Sequence, residues 1–281
     1  MKANFQSKCS SFGGRRPAFT LIEMLMVLAI IGLLTGLTLP FLKGLSRSNT
    51  IGAAARQLLD DVEYARHRAI AGHTTVFMIF LPPVNANEAA VYSPLNTPND
   101  PQYHPKQWTN LLTGQGTSYA FLSRRGIGEQ PGEHNTNYLT KWFSLPQGTF
   151  IPEYKFFSAQ PTVVGTNADP KVITPFRVST GFHVPSADGI IGGTNAYIAF
   201  DYQGRLVNEY GEPQLEGEYI PVAQGSIFFE RDPNTGGLVW SKADIRENPP
   251  NNSLVNFNLI HIDGLTGRAR IKQVEFSRPP P

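Results

Sequence analysis

The stretch RRPAFTLIEMLMVLAIIGLLTGLTLPFL, residues 15–42, decides how the rest of the chain is read. From Met24 to Leu42 it runs 19 residues without a charge. As a helix rising about 1.5 Å per residue, that run extends about 28 Å, close to the hydrocarbon thickness of a bilayer. Residues 1–18 carry Lys2, Lys8, Arg15 and Arg16 and no acid. Basic residues flanking an apolar helix stay cytoplasmic, so the chain beyond residue 43 is expected on the far side of the membrane. An ordinary secretory signal fits poorly, because Thr35-Gly36-Leu37-Thr38-Leu39-Pro40 lacks the small-residue cleavage pattern. One residue resists a plain anchor reading. Glu23 places a carboxylate just inside the apolar segment, where depth decides its meaning: about 2.5–3.5 kcal/mol unfavourable at a helix centre, little at the headgroup edge.

The run from Arg15 to Glu23 resembles the processing site of type IV prepilins and type II secretion pseudopilins. The resemblance implies a membrane-embedded prepilin peptidase that cuts between Ala18 and Phe19 on the cytoplasmic side and methylates the new Phe19 amine. Ala18 stands where most of these proteins carry glycine. After such a cut Glu23 is the fifth residue and Pro40 the twenty-second, matching the glutamate and the membrane-helix proline of the family. The physical reason for the arrangement is charge neutralisation. A positive chain start in lipid needs a carboxylate from a neighbouring subunit, and an unpaired ion penalises every wrong axial register. Gly32 and Gly36, at small-xxx-small spacing, allow close helix approach, and Pro40 removes a backbone donor. The same cut removes four basic residues and Cys9, leaving 20 basic against 22 acidic residues and no cysteine.

Residues 46–72 read as an amphipathic helix. Ile51, Ala55, Leu58, Val62, Ala65 and Ala69 recur at steps of three and four. Arg56 with Asp60 and Glu63 with His67 are spaced for surface pairing, and Gly72 is a natural stop. The following 209 residues hold 21 of the 23 prolines and 19 of the 26 glycines, which predicts short strands and turns. Strands are expected at Thr75–Leu81, Ala196–Phe200, Ser226–Glu230, Phe257–Asp263 and Arg268–Phe276, with weaker ones around Tyr119, Trp142, Val178 and Tyr219. Phe200–Arg205 and Ile262–Arg268 both read as hairpins with the pattern Asp, short turn, Gly-Arg. That pattern, with the 54–70 helix and the strand after it, is similar to H-type minor pseudopilins. The expected fold class is α+β. A long N-terminal helix, transmembrane over 22–42 and amphipathic over 46–72, packs on a mostly antiparallel pilin-like head over 73–281 with a loop-rich insertion at 82–195.

Composition limits the chemistry. With 41% hydrophobic and 16% charged residues the chain can form a core, and a formal charge of +2 excludes wholesale nucleic-acid coating. The histidines 67, 73, 104, 134, 183 and 261 show no metal spacing. Gly126-Ile127-Gly128 lacks the Lys-Ser/Thr ending of a phosphate loop, and no nucleophile elbow occurs. No enzyme activity and no cofactor are expected. One basic cluster stands out: Arg268, Arg270 and Lys272 alternate along a strand with Arg278 behind them. They are either phosphate contacts, as DNA uptake would need, or charges that guard an edge strand. The chain therefore reads as an assembly subunit. Its expected partners are other pilin-like subunits, the prepilin peptidase and an inner-membrane assembly platform. It would lie in a bacterial inner membrane with a cytoplasmic amino terminus and periplasmic head, then in a pilus or pseudopilus. The competing reading is an unpolymerised, membrane-tethered binding module.

Overall fold

A computed structural model describes residues 21–83, 113–124, 137–157, 160–165, 170–179, 183–186, 189–192, 195–239, 241 and 243–273. Of these, 36–49, 183–186, 189–192 and 273 are described by backbone alone. Two compact units result, Met1–Arg47 and Ser48–Pro281. Helix α1, Leu21–Gly72, gives its first residues to one unit and its last to the other. Its end is closed as an apolar helix end should be. His73 adopts φ 46 and its N–H reaches the Ile70 carbonyl at 3.3 Å, while the Thr74 N–H reaches Ala69 at 3.2 Å.

Among the described residues the second unit adds to the end of α1 a set of mostly short strands and two single-turn helices. In chain order come β1 (Val76–Phe80), β2 (Ser118–Ser123), β3 (Asn137–Tyr138), β4 (Phe143–Ser144), β5 (Thr149–Phe150), α2 (Tyr154–Phe157), β6 (Thr162–Val164), β7 (Lys171–Ile173) and β8 (Arg177–Ser179). They are followed by β9 (His183–Ser186), β10 (Gly189–Gly192), β11 (Asn195–Phe200), β12 (Leu206–Val207), β13 (Glu218–Phe228), β14 (Asp244–Glu247), α3 (Asn252–Val255), β15 (Asn258–Ile262) and β16 (Ala269–Gln273). The first main sheet runs β12-β11-β1-β2-β3, with β4 on β2 and β8 on β11. The second runs β14-β13-β15-β16, with β5 on β13. β6 with β7 and β9 with β10 form separate ribbons, and the described pairings are antiparallel. The fold class is thus α+β, an N-terminal helix with antiparallel sheets.

Side-chain alternation explains where the core sits. Val76, Met78 and Phe80 point to one face of β1, together with Phe121 of β2 and Ile198 and Phe200 of β11. That face meets Leu58, Val62, Ala65 and Ala69 of α1, and the same cluster takes in Ile220, Val222, Ile260 and Ile262 of the second sheet. The helix stripe read from the sequence is therefore the seam that both sheets share. Fully burying each such Val, Leu, Ile or Phe contributes roughly 1.5–3 kcal/mol. The opposite face of β1 is also covered, by Phe77 and Ile79 packed with Ala120, Leu122, Tyr197 and Val207.

The weaker strand expected around Tyr119, inside the loop-rich 82–195 segment, is β2, a core strand buried at every residue and paired with β1 in full register from Val76↔Ser123 to Phe80↔Tyr119. Its two-sided burial removes the polar-apolar alternation that marks a half-exposed strand, which is why its signal in the sequence is weak. Two expectations need adjustment. The separate strands expected around Tyr219 and at Ser226–Glu230 are one, β13, which changes partner from β15 to β14 along its length. The strand expected to reach Phe276 is described to Gln273, and Arg278 and the Gly126–Gly132 loop lie outside the described residues.

The two hairpins that echo each other in sequence also meet in space. In each, the aspartate side chain holds the turn: Asp201 Oδ1 accepts the Gln203 and Arg205 N–H groups at 2.9 and 2.8 Å, and Asp263 Oδ1 accepts the Thr266 N–H at 2.8 Å. Gly204 at φ +79 and Gly267 at φ +63 supply the left-handed turn residues. A Cβ on Gly267 would lie 1.9 Å from the Gly204 carbonyl oxygen, so only glycine permits this approach. Both turns reach α1. Arg66 Nε donates to the Thr266 carbonyl at 2.8 Å, and Glu63 Oε1 accepts the Ala269 N–H at 2.8 Å. Glu63, expected to pair with His67, does so at 3.9 Å and also binds Arg66 at 3.7 Å.

Candidate processing and assembly site

Ala18 and Phe19 lie outside the described residues; the description starts with the first turn of α1, which holds Glu23. Around it the helix is apolar on every side. Leu21 is 83% exposed, and Ile22, Met24, Leu25, Met26, Val27, Leu28, Ile30, Ile31, Leu33 and Leu34 are exposed too. A helix with large apolar side chains in all directions has no inner and outer face. Among the described residues, a Cβ at Gly32 would meet nothing within 4 Å. Thr35 returns its hydroxyl to the Ile31 carbonyl at 2.6 Å, the internal satisfaction that a polar side chain needs away from water. Gly36 and Pro40 fall in the helical run described by backbone alone. Among the described residues no helix is long and apolar enough to cross a membrane.

The other candidate residues sit on the outer face of the second sheet. β15 and β16 pair His261 with Arg270 and Leu259 with Lys272. Arg270 Nε approaches His261 Nδ1 at 3.4 Å, the His261 and Tyr219 rings lie 4.6 Å apart and tilted by 31°, and Lys272 Nζ lies 3.4 Å from the Tyr219 hydroxyl and 5.3 Å from the centre of its ring. Burial, then the positive charges of Lys272 and Arg270, hold the His261 imidazole below its ordinary value. Arg268 precedes β16, and its backbone N–H reaches Thr266 Oγ1 at 3.4 Å. The structure thus gathers Arg270 and Lys272 around two ring side chains, His261 and Tyr219, that were not singled out with them. Among the described residues no group of three or more His, Cys, Asp or Glu could hold a metal ion.

Two buried polar contacts were not anticipated. Tyr119 donates its hydroxyl to Asp61 and accepts from Gln57 Nε2 at 2.9 Å, tying β2 to α1. Burial first, and then the Asp61 carboxylate, push the Tyr119 hydroxyl far up; burial likewise raises Asp61. Lys155 of α2 is fully buried, ion-paired with Glu218 of β13 and donating to the Thr174 carbonyl at 2.7 Å. Burial drives this lysine down, opposed by Glu218. The available signals were local: a lysine enclosed by Tyr154, Phe156 and Phe157, and Gln57 and Asp61 four apart beside the helix stripe.

Residues 14–39 match the prokaryotic N-terminal methylation motif. This is a type IV pilin-like precursor motif. It spans Ala18, Phe19, Glu23, Gly32 and Gly36 and marks the chain as a prepilin peptidase substrate. No curated protein and no solved structure matches the chain.

Proposed function

We propose that this chain is a structural subunit of a pilin-like filament, most like an H-type minor pseudopilin or minor type IV pilin. The observation that carries the reading is the apolar collar from Leu21 to Leu34 with the single carboxylate of Glu23 in its first turn, inside the methylation motif. Prepilin peptidase removes residues 1–18 and methylates Phe19. Residues 22–42 hold the subunit in the inner membrane, amino terminus in the cytoplasm, with the head over 73–281 in the periplasm. On assembly Glu23 neutralises the Phe19 amine of the adjoining subunit and so fixes register. The open space at Gly32 admits a neighbouring helix, with Gly36 on the next turn and Pro40 easing the helix beyond. Partners are other pilin-like subunits and an assembly platform in a type II secretion or type IV pilus machine. Mass spectrometry of the natively produced chain tests this: a methylated Phe19 is expected as first residue, and an intact Met1 overturns the processing step.

The Arg270, Lys272, His261 and Tyr219 face favours one other reading, a membrane-tethered module that binds anions such as DNA phosphates without polymerising. In that case binding falls steeply with salt and weakens when Arg270 and Lys272 are replaced by glutamine.

A further inference from the structure

At the far end of the second sheet lies a cavity of about 480 Å³, a size typical of small-ligand sites. It is lined by Phe150, Tyr154, Phe157 and Ile245, with Glu153, Glu247 and Ser253 beside them. Strand alternation assigns these groups. Ile245 and Glu247 of β14 line the cavity, while Asp244 and Arg246 between them pair with each other at 3.0 Å, with the Arg246 guanidinium 5.0 Å from the centre of the Phe228 ring. Lys155, next in sequence to Tyr154, is committed to Glu218 in the core. The two basic side chains adjacent in sequence to lining residues thus have partners elsewhere, and among the described residues no cation lines the cavity.

The polar rim is fixed. Glu247 accepts both the Ser253 N–H at 3.1 Å and the Ser253 hydroxyl at 2.5 Å, and the Tyr154 hydroxyl donates to the Ser253 carbonyl at 2.8 Å. These donors are neutral. They orient the Glu247 carboxylate without cancelling its charge. Aromatic faces attract cations, and a carboxylate in a partly desolvated wall attracts them more strongly than one in open water.

The geometry points to a binding site for an alkylammonium group, the lysine side chain of a partner polypeptide. Its methylene stem lies along Phe150, Phe157 and Ile245, and its ammonium meets Glu247. Nothing in this assignment depends on the leader or on the apolar part of α1.

Saturation-transfer NMR on the full chain in detergent micelles tests it, with N-acetyl-lysine methylamide as probe and N-acetyl-norleucine methylamide as its uncharged analogue. Transfer to the lysine methylenes is expected, with the norleucine analogue bound roughly tenfold more weakly, a difference that one charge-assisted contact supplies. Glu247→Gln should remove the preference for lysine while its amide oxygen still accepts from one of the two Ser253 donors. Ile245→Lys keeps the Glu247 carboxylate and should block the site by occupying it from within. Equal binding of the two probes overturns the proposal, as does unchanged lysine binding by the Ile245→Lys chain.

Discussion

Between Leu21 and Leu34, α1 shows large apolar side chains on every side, whereas between Ile51 and Ala69 it confines them to one stripe pressed against two sheets. Leu33 is 68% exposed and Leu58 is 0% exposed, on one helix and of one residue type. The difference shows that helix propensity says little about what a helix is for. The later stretch has found its partners within the chain. Among the described residues the earlier one leaves its large apolar side chains exposed.

The sharpest way to break this contrast is Glu23→Ala. If the apolar collar is an assembly surface, the variant should disappear from sheared filaments while the head's thermal unfolding stays unchanged; incorporation at the parental level would remove the register role. Next in size is Glu218→Ala, which strands the Lys155 ammonium in the core. Breaking one side of a buried pair costs about 3–5 kcal/mol, and chemical denaturation should read that loss. Replacing the pair together, Lys155→Met with Glu218→Leu, should recover most of it.

A matched pair of substitutions sharpens the comparison directly. Leu58→Ala should destabilise the head by about 2–5 kcal/mol, because it leaves a void on the shared seam, whereas Leu33→Ala should not move head unfolding at all. The smallest effect concerns His261. Its imidazole is held below the ordinary 6.5 by burial, then by Lys272 and Arg270. The unfolded chain therefore binds the proton more readily, so this contribution is intact above pH 6.5 and is lost as pH falls through the folded value. Arg270→Gln with Lys272→Gln should shift the His261 titration upward by NMR; an unmoved midpoint would leave burial as the sole cause.

What could be read from sequence follows from how local each signal is. The helix stripe, β1, β11, β15 and the two Asp–Gly hairpins all declare themselves within a few residues, through period or turn chemistry. β2 declares itself only as a weak strand around Tyr119, because its place in the core depends on being covered from both faces by segments far away in the chain. The motif at residues 14–39 was legible for the same reason as the hairpins: charge, small residue, aromatic and acid stand side by side. The Lys155–Glu218 pair spans 63 positions, and the Tyr119–Asp61 contact 58. The cavity beside Glu247 draws on β5, α2, β14 and α3, and no single window contains it.

The clasp that Glu63 and Arg66 make with Ala269 and Thr266 joins positions 206 and 200 residues apart. Closing so long a loop is slow, and it makes this topology a late-finishing one. Synthesis must pass residue 269 before the helix can be gripped from that side. Until then Leu58, Val62 and Ala65 lack part of their cover, and the order of synthesis sets when the seam can close.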